Sequence, residues 1–314
     1  MTKMLIGYPL NKYEAFEQLL SSLSKKHDLT IKDYTYEWLK DNIHKFEIIV
    51  PSLKVIIDDD IINNAEKLRI LFTPTTGTDH IRIRNKRQGI KIFTLNDYKH
   101  DINSINSTAE LGFSHILSLS RKVFSAHKDV VEFGRWERND FLGKDLNNKV
   151  IGIIGMGRIG QKIAKYAEAF GMKIIYWDKI KRGKWDNISH LRRFLSIPDI
   201  IFISITLNNK SHHLINMKNI SNIKKGAILV NISRGSVIEE KSLCFALRKG
   251  ILSGVGVDVL ENELGDYTKS PLLQYARRNP DANIVITPHI GGATIEAWEK
   301  VFTLVAEKMS KELT

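Results

Sequence analysis

Val150-Ile151-Gly152-Ile153-Ile154-Gly155-Met156-Gly157-Arg158-Ile159-Gly160 decides the fold of this 314-residue chain. The run Val150–Ile154 is apolar on both faces, which predicts a buried parallel strand. Gly155 permits a tight turn, Gly157 carries no side chain to keep a pyrophosphate from the backbone, and Gly160 lets the next helix approach the strand. The helix, with Gln161–Phe170 as its body, turns its free N–H groups and partial positive charge toward a phosphate. Gly171 is placed to stop it. A second apolar run, Lys173–Trp177, ends at Asp178, 18 residues beyond Gly160 and close to the spacing of an acid that grips ribose hydroxyls. Strand, glycines, helix, strand and acid in this order predict a dinucleotide site built from Gly155, Gly157, Arg158, Ile159, Gly160 and Asp178. An acid at 178 repels a ribose 2′-phosphate, so NAD is expected over NADP. Lys179, Lys181 and Arg182 oppose that preference.

Length allows two domains and a substantial core. No run approaches the roughly 18 apolar residues that span a bilayer. The opening stretch Met1–Pro9 reads as a first strand, with an apolar segment too short for a secretory leader. One cysteine, Cys244, excludes an intramolecular disulfide, and a cytoplasmic protein is expected. Cys244 lies in a helical apolar pattern and reads as a buried small side chain. The formal net charge of +12 raises the question of nucleic acid. The basic residues are spread along the chain, without a zinc-ligand spacing, an aromatic-interleaved stripe or a basic tail, so neither nucleic acid, membrane nor metal is expected. One local cluster, Arg82, Arg84, Lys86 and Arg87, reads as a solvated face or as a rim that attracts an acidic substrate.

Apolar runs at Met4–Gly7, Phe46–Val50, Leu68–Phe72 and Ile90–Thr94 predict a first α/β unit, with a helix over Asn11–Ser24. Ser107 and Glu110 form a capping-box pattern before a long helix to about Phe124. Strands Ile200–Ile205, Ala227–Asn231, Gly254–Val257 and Asn283–Ile286 extend the glycine-motif unit, and a last helix covers Thr294–Lys311. The predicted fold class is α/β: two Rossmann-like or flavodoxin-like domains with parallel sheets. A cofactor domain over residues 101–287 is inserted into a substrate domain made of 1–100 and 288–314, with a cleft between them.

Three strand ends in the second unit carry chemistry. Asn231-Ile232-Ser233-Arg234-Gly235 places an arginine, Asp258-Val259-Leu260-Glu261-Asn262-Glu263 places acids, and Thr287-Pro288-His289-Ile290-Gly291-Gly292 places a histidine. Each alone reads equally well as a surface turn, a solvated acidic loop or a capping histidine. In open α/β sheets ligands bind at the carboxyl ends of strands. Hydride transfer to a keto acid needs a cation for the carboxylate and ketone, and a general acid that works near neutrality. A carboxylate beside a histidine favours the protonated ring.

Together these motifs resemble the D-isomer-specific 2-hydroxyacid dehydrogenase family, across nearly the whole chain. The resemblance implies an NAD-dependent enzyme interconverting a small anionic 2-oxo acid and a D-2-hydroxy acid. By the same resemblance Arg234 binds substrate, Glu263 tunes His289, His289 is the general acid and base, and Asp258 lies near the nicotinamide carboxamide. Thr75–Ile81 is similar to the family's substrate loop, with Thr76 and Gly77 cradling a carboxylate through main-chain N–H groups. The family also implies a homodimer. Three positions depart from its pattern: Leu264 stands in place of a proline, Thr206 and Asn208 in place of a proline and a threonine, and Arg82 in place of an acid. Arg82 suggests affinity for a doubly anionic substrate such as a phosphorylated hydroxy acid. Two alternatives belong beside this reading: an NAD(H)-sensing regulatory protein of the same fold, which turnover of 2-oxo acids would exclude, and a related dehydrogenase acting on another small anion.

Overall fold

Short β-branched runs that are apolar on both faces form parallel strands covered by helices on each side. The computed structural model describes residues 1–84, 89–98 and 101–312. The chain divides into two compact units, Met1–Ile105 with Ala293–Thr314, and Asn106–Gly292. The crossings fall a few residues beyond the expected boundaries. The first has a local cause: the Asn106 carbonyl accepts the N–H groups of Ala109 (2.8 Å) and Glu110 (3.0 Å), so the helix Ser107–Arg121 begins there.

The first unit contains β1 (Thr2–Ile6), β2 (His27–Ile31), β3 (Ile48–Val50), β4 (Ile57–Asp58), β5 (Ile70–Thr73), β6 (Ile81–Arg82) and β7 (Lys91–Thr94). Five of them form a parallel sheet in the order β2-β1-β3-β5-β7, while β4 pairs with β6. The last helix, Ile295–Glu312, buries Val301, Phe302, Leu304 and Val305 against Met4, Ile6, Val50 and Phe72 of this sheet. The Thr294 hydroxyl caps it, accepting the Ala297 N–H at 3.2 Å.

The second unit contains β8 (Val150–Ile154), β9 (Lys173–Trp177), β10 (Asp186–Asn187), β11 (Ile200–Ile203), β12 (Ala227–Asn231), β13 (Leu252–Val257) and β14 (Ile284–Ile286). All are parallel, in the order β10-β9-β8-β11-β12-β13-β14. Alternation along the strands serves two cores. Ile151, Ile153, Phe202 and Val230 face the helices Ser107–Arg121 and Arg158–Ala169. Ile154, Ile201, Ile203, Leu229 and Val257 face the helices Leu191–Leu195, Glu240–Arg248 and Pro271–Arg278. Strand order reverses between β8 and β11, and the crevice outside the strand ends at such a reversal is where ligands bind in open α/β sheets. Among the described residues no helix is long and apolar enough to cross a membrane.

Several local expectations are corrected. The helix expected over Asn11–Ser24 is two 3-10 turns, Leu10–Lys12 and Glu14–Phe16, followed by an α-helix only over Glu17–Ser24. Tyr13 is extended (φ −126°, ψ 125°), which buries Leu10 and Phe16 and sets the Tyr13 ring edge-on to Trp298. Ser107 is not a cap: it lies inside its helix, buried, and its hydroxyl has no partner among the described residues. That helix stops at Arg121 because Lys122 turns left-handed (φ 51°), and a separate helix, Val123–Phe133, follows.

Candidate active site

The three glycines of the motif each meet a different physical demand. Gly155 is left-handed (φ 92°), and a Cβ there would stand 2.8 Å from the Ser204 carbonyl oxygen. At Gly160 a Cβ would overlap the Gly155 carbonyl, so the close approach of helix to strand depends on its absence. At Gly157 a Cβ would meet nothing within 4 Å. The backbone there borders open space, as a pyrophosphate cradle requires. Gly157 is also the N-cap of the helix Arg158–Ala169 and offers no capping side chain, so the N–H groups of Arg158, Ile159 and Gly160 lie in a first turn without intrahelical acceptors. Burial lowers the pKa of the partly buried Arg158 guanidinium. Asp178, at the end of β9, is held by the N–H groups of Met156 (2.8 Å, to Oδ2) and Ile180 (3.1 Å, to Oδ1). Its carboxylate is therefore fixed beside the glycine turn. The donor set and the open cradle fit a dinucleotide.

At the ends of β12, β13 and β14 the chain builds one connected polar assembly. Asn231 is buried at 1% exposure; its Oδ1 accepts from the Ser233 N–H (3.0 Å) and hydroxyl (2.7 Å), and its amide donates to the Arg234 carbonyl (2.9 Å). This turn presents Arg234, whose Nη1 donates to the Ser233 carbonyl at 2.8 Å. The Asn231 carbonyl accepts the Asp258 N–H at 3.0 Å. Asp258, also 1% exposed, takes three donors on its carboxylate: the Thr287 hydroxyl (2.6 Å), the Ile290 N–H (2.9 Å) and the Gly291 N–H (2.8 Å). Its carbonyl accepts the His289 N–H at 2.8 Å. The segment 287–291 thus wraps around Asp258, and this wrapping holds His289 in a left-handed conformation (φ 54°) rare for a non-glycine residue.

His289 Nδ1 lies 2.8 Å from Glu263 Oε1, with both side chains about a quarter exposed (27% and 21%). Leu264, where the resembled pattern has proline, does not prevent this contact: Glu263 Oε2 accepts the Leu260 N–H at 3.3 Å, and the loop closes through the Gly265 N–H to the Asn262 carbonyl at 3.0 Å. Asn208, another departure, makes a local turn by accepting the Lys210 N–H at 2.9 Å. Arg234 is tied to the acidic loop through its neighbour. A Cβ on Gly235 would overlap the Leu260 carbonyl group and the Glu261 nitrogen.

In the first unit, Thr76 and Gly77 follow β5 in a loop braced by the Thr75 hydroxyl, which donates to the Gly77 carbonyl (2.7 Å), and by the Asn96 amide, which donates to the Thr76 carbonyl (2.7 Å). Arg82 and Arg84 are exposed, whereas Lys86 and Arg87 lie outside the described residues. Cys244 is free and buried, and burial raises its thiol pKa.

Sequence reasoning missed two groups. Glu240, 3% exposed, accepts the Glu261 N–H (2.8 Å) and the Ser270 hydroxyl (2.5 Å), anchoring the loop that carries Glu263. His115, 2% exposed, faces Thr287 at 3.2 Å. His212, His213 and Glu261 also converge, with ligand atoms within 4.8 Å of one another. Within this group His213 Nε2 and Glu261 Oε1 are joined by a hydrogen bond.

The chain matches the D-isomer specific 2-hydroxyacid dehydrogenase NAD binding domain over residues 113–291. It is 33% identical over 291 residues to a glyoxylate reductase of Pyrococcus horikoshii, covering 88% of this chain and 83% of that one. It is 32% identical over 312 residues to a hydroxypyruvate reductase of Thermotoga maritima, covering 98% and 97%. Its structure is similar to that of D-lactate dehydrogenase from Aquifex aeolicus complexed with NAD and lactic acid, with a TM-score of 0.83, 26% identity, and coverage of 99% of this chain and 95% of that one.

Proposed function

This chain belongs to the D-isomer specific 2-hydroxyacid dehydrogenase family, an NAD-dependent oxidoreductase by that membership, and we propose that it interconverts a small 2-oxo acid and its D-2-hydroxy acid with His289 as general acid and base. The observation that carries the assignment is the 2.8 Å contact between His289 Nδ1 and Glu263 Oε1. The carboxylate fixes the ring and takes one nitrogen, so the proton exchanged with substrate rides on Nε2. Bound NADH supplies the hydride in the reduction. As negative charge develops on the ketone oxygen, the Arg234 guanidinium stabilises it and His289 delivers the proton that completes the alcohol; the reverse reaction returns that proton to the ring. For the loop bearing Thr76 and Gly77, the proposed role is to hold the substrate carboxylate by main-chain N–H groups. Gly155, Gly157, Arg158, Ile159 and Gly160 would hold the pyrophosphate, Asp178 the adenosine ribose, and Asp258 the nicotinamide end.

The test is oxidation of NADH and of NADPH with glyoxylate, hydroxypyruvate, pyruvate and phosphohydroxypyruvate. Turnover is expected with at least one acid, faster with NADH. Asp178→Ala should narrow the NADH preference about tenfold by removing repulsion of the 2′-phosphate. An enzyme inert toward every 2-oxo acid would sink the reading, and an unchanged cofactor ratio in the variant would remove Asp178 from it.

A homodimer is also proposed. In and after the helix Val123–Phe133, the large apolar side chains Val131 (66%), Phe133 (60%), Trp136 (85%) and Leu142 (76%) are each exposed, and apolar surface of this kind suits a protein contact. A second copy covering this face should give twice the 35.9 kDa chain mass in light scattering. A monomer at micromolar concentration would refute it.

A further inference from the structure

His115 is a buried titratable group that the proposed reaction does not use, yet it stands one hydrogen bond from the assembly that holds His289. It sits on the helix Ser107–Arg121, 2% exposed, with Nε2 at 3.2 Å from the Thr287 hydroxyl. The strand beneath makes room for it: a Cβ on Gly256 of β13 would lie 3.2 Å from its Nδ1 and its Cβ. The Thr287 hydroxyl has one proton and stands 2.6 Å from Asp258 Oδ1, so that proton goes to the carboxylate. Its oxygen is then an acceptor toward His115. Nδ1 of His115 is buried with no hydrogen-bond partner among the described residues, which also puts the ring proton on Nε2. Burial lowers the pKa of the His115 ring, against an opposing pull from Asp258, and so favours its neutral form.

We propose that His115 is a positioning residue for the His289 segment: its Nε2–H donates to Thr287, which aligns the hydroxyl on Asp258, whose carboxylate holds the Ile290 and Gly291 N–H groups. The chain of contacts is His115 to Thr287, Thr287 to Asp258, and Asp258 to residues 289–291. Its consequence is a defined register for the left-handed His289. Without the donor, the Thr287 hydroxyl gains a competing rotamer, and the Asp258 carboxylate shares its acceptors less evenly among the groups that fix the loop. This inference rests on the reading of His289 as the acid and base.

The test pairs His115→Leu, which fills the space without a donor, with His115→Gln, which keeps an N–H donor on a side chain of similar reach. In the full-length protein His115→Leu should lower kcat about tenfold, the worth of one well-placed hydrogen bond. KM for the 2-oxo acid should stay near wild type. His115→Gln should recover most of the loss. Nitrogen NMR of the imidazole should show Nε2 protonated and Nδ1 bare, with the Nε2–H signal shifted in Thr287→Val. Wild-type kcat in the leucine variant, a glutamine variant as slow as leucine, or a proton on Nδ1 would overturn the proposal. A wild-type protein inactive on every 2-oxo acid would instead remove the reading of His289, and the NMR result would still decide whether His115 holds Thr287.

Discussion

Replacing His289 with alanine is expected to lower kcat by at least about a thousandfold, the upper part of the range for a lost general acid, while NADH binds with near wild-type affinity. The backbone at 289 is held by its N–H bond to the Asp258 carbonyl at 2.8 Å, not by the ring. At φ 54° alanine, like histidine, carries a Cβ into the left-handed region, where histidine is only somewhat better tolerated, so the substitution adds little backbone strain. Glu263 loses its partner, but its side chain is 21% exposed and water can reach it. The loss therefore falls on proton transfer rather than on folding. Steady-state kinetics, NADH fluorescence titration and thermal unfolding separate the two. A variant that keeps kcat within about tenfold of wild type excludes His289 as the acid. A variant that loses turnover together with several degrees of melting temperature points to damage in the loop instead.

The sequence made the glycine loop and strand ends legible because their demands are local. Gly155, Gly157 and Gly160 answer to turn geometry and close approach within one strand–helix unit, and β8, β9 and β12 have the expected bounds. Arg234, Glu263 and His289 stand after apolar strands, where each alone reads equally well as a turn or capping residue; only the resemblance to the family sets them apart in the sequence, and only the fold brings Glu263 and His289 to 2.8 Å. Other features depend on partners distant in sequence. Glu240 and His115 look like ordinary helix residues until Glu261 and Thr287 arrive beside them. The edge strands β2 and β10 were missed for a different reason. β2 reads His-Asp-Leu-Thr-Ile, with polar residues on a half-covered edge, and β10 has two residues, too few to display a period. Ser107 shows how a correct local pattern fails: the capping-box spacing is present, but the helix begins at the Asn106 carbonyl and leaves the serine inside.

Gly235→Ala should be among the most damaging single-methyl changes in the second unit, with a stability loss of about 3 kcal/mol, at the upper end for overpacking, and kcat/KM lowered about a hundredfold. The added methyl would overlap the Leu260 carbonyl and the Glu261 nitrogen, which are backbone atoms and cannot rotate away. Nor can that backbone yield freely. The Glu261 N–H is bonded at 2.8 Å to Glu240, whose carboxylate is 3% exposed and also takes the Ser270 hydroxyl. Shifting Leu260 also strains its N–H bond to Glu263 Oε2. The methyl therefore pushes apart two loops, one carrying Arg234 and the other carrying Glu263 with its bond to His289. A displacement near 1 Å in either is enough for the stated loss of rate. Gly157→Ala is the control, because a Cβ there meets nothing within 4 Å: its melting temperature should hold while NADH binding weakens, as the methyl occupies the pyrophosphate approach. Thermal unfolding and kcat/KM measured on both variants separate the roles assigned: Gly235→Ala should lose both, and Gly157→Ala should lose NADH use with its melting temperature held. A Gly235→Ala protein that melts and turns over like wild type would show that the Arg234 and Glu263 loops are not coupled through this contact.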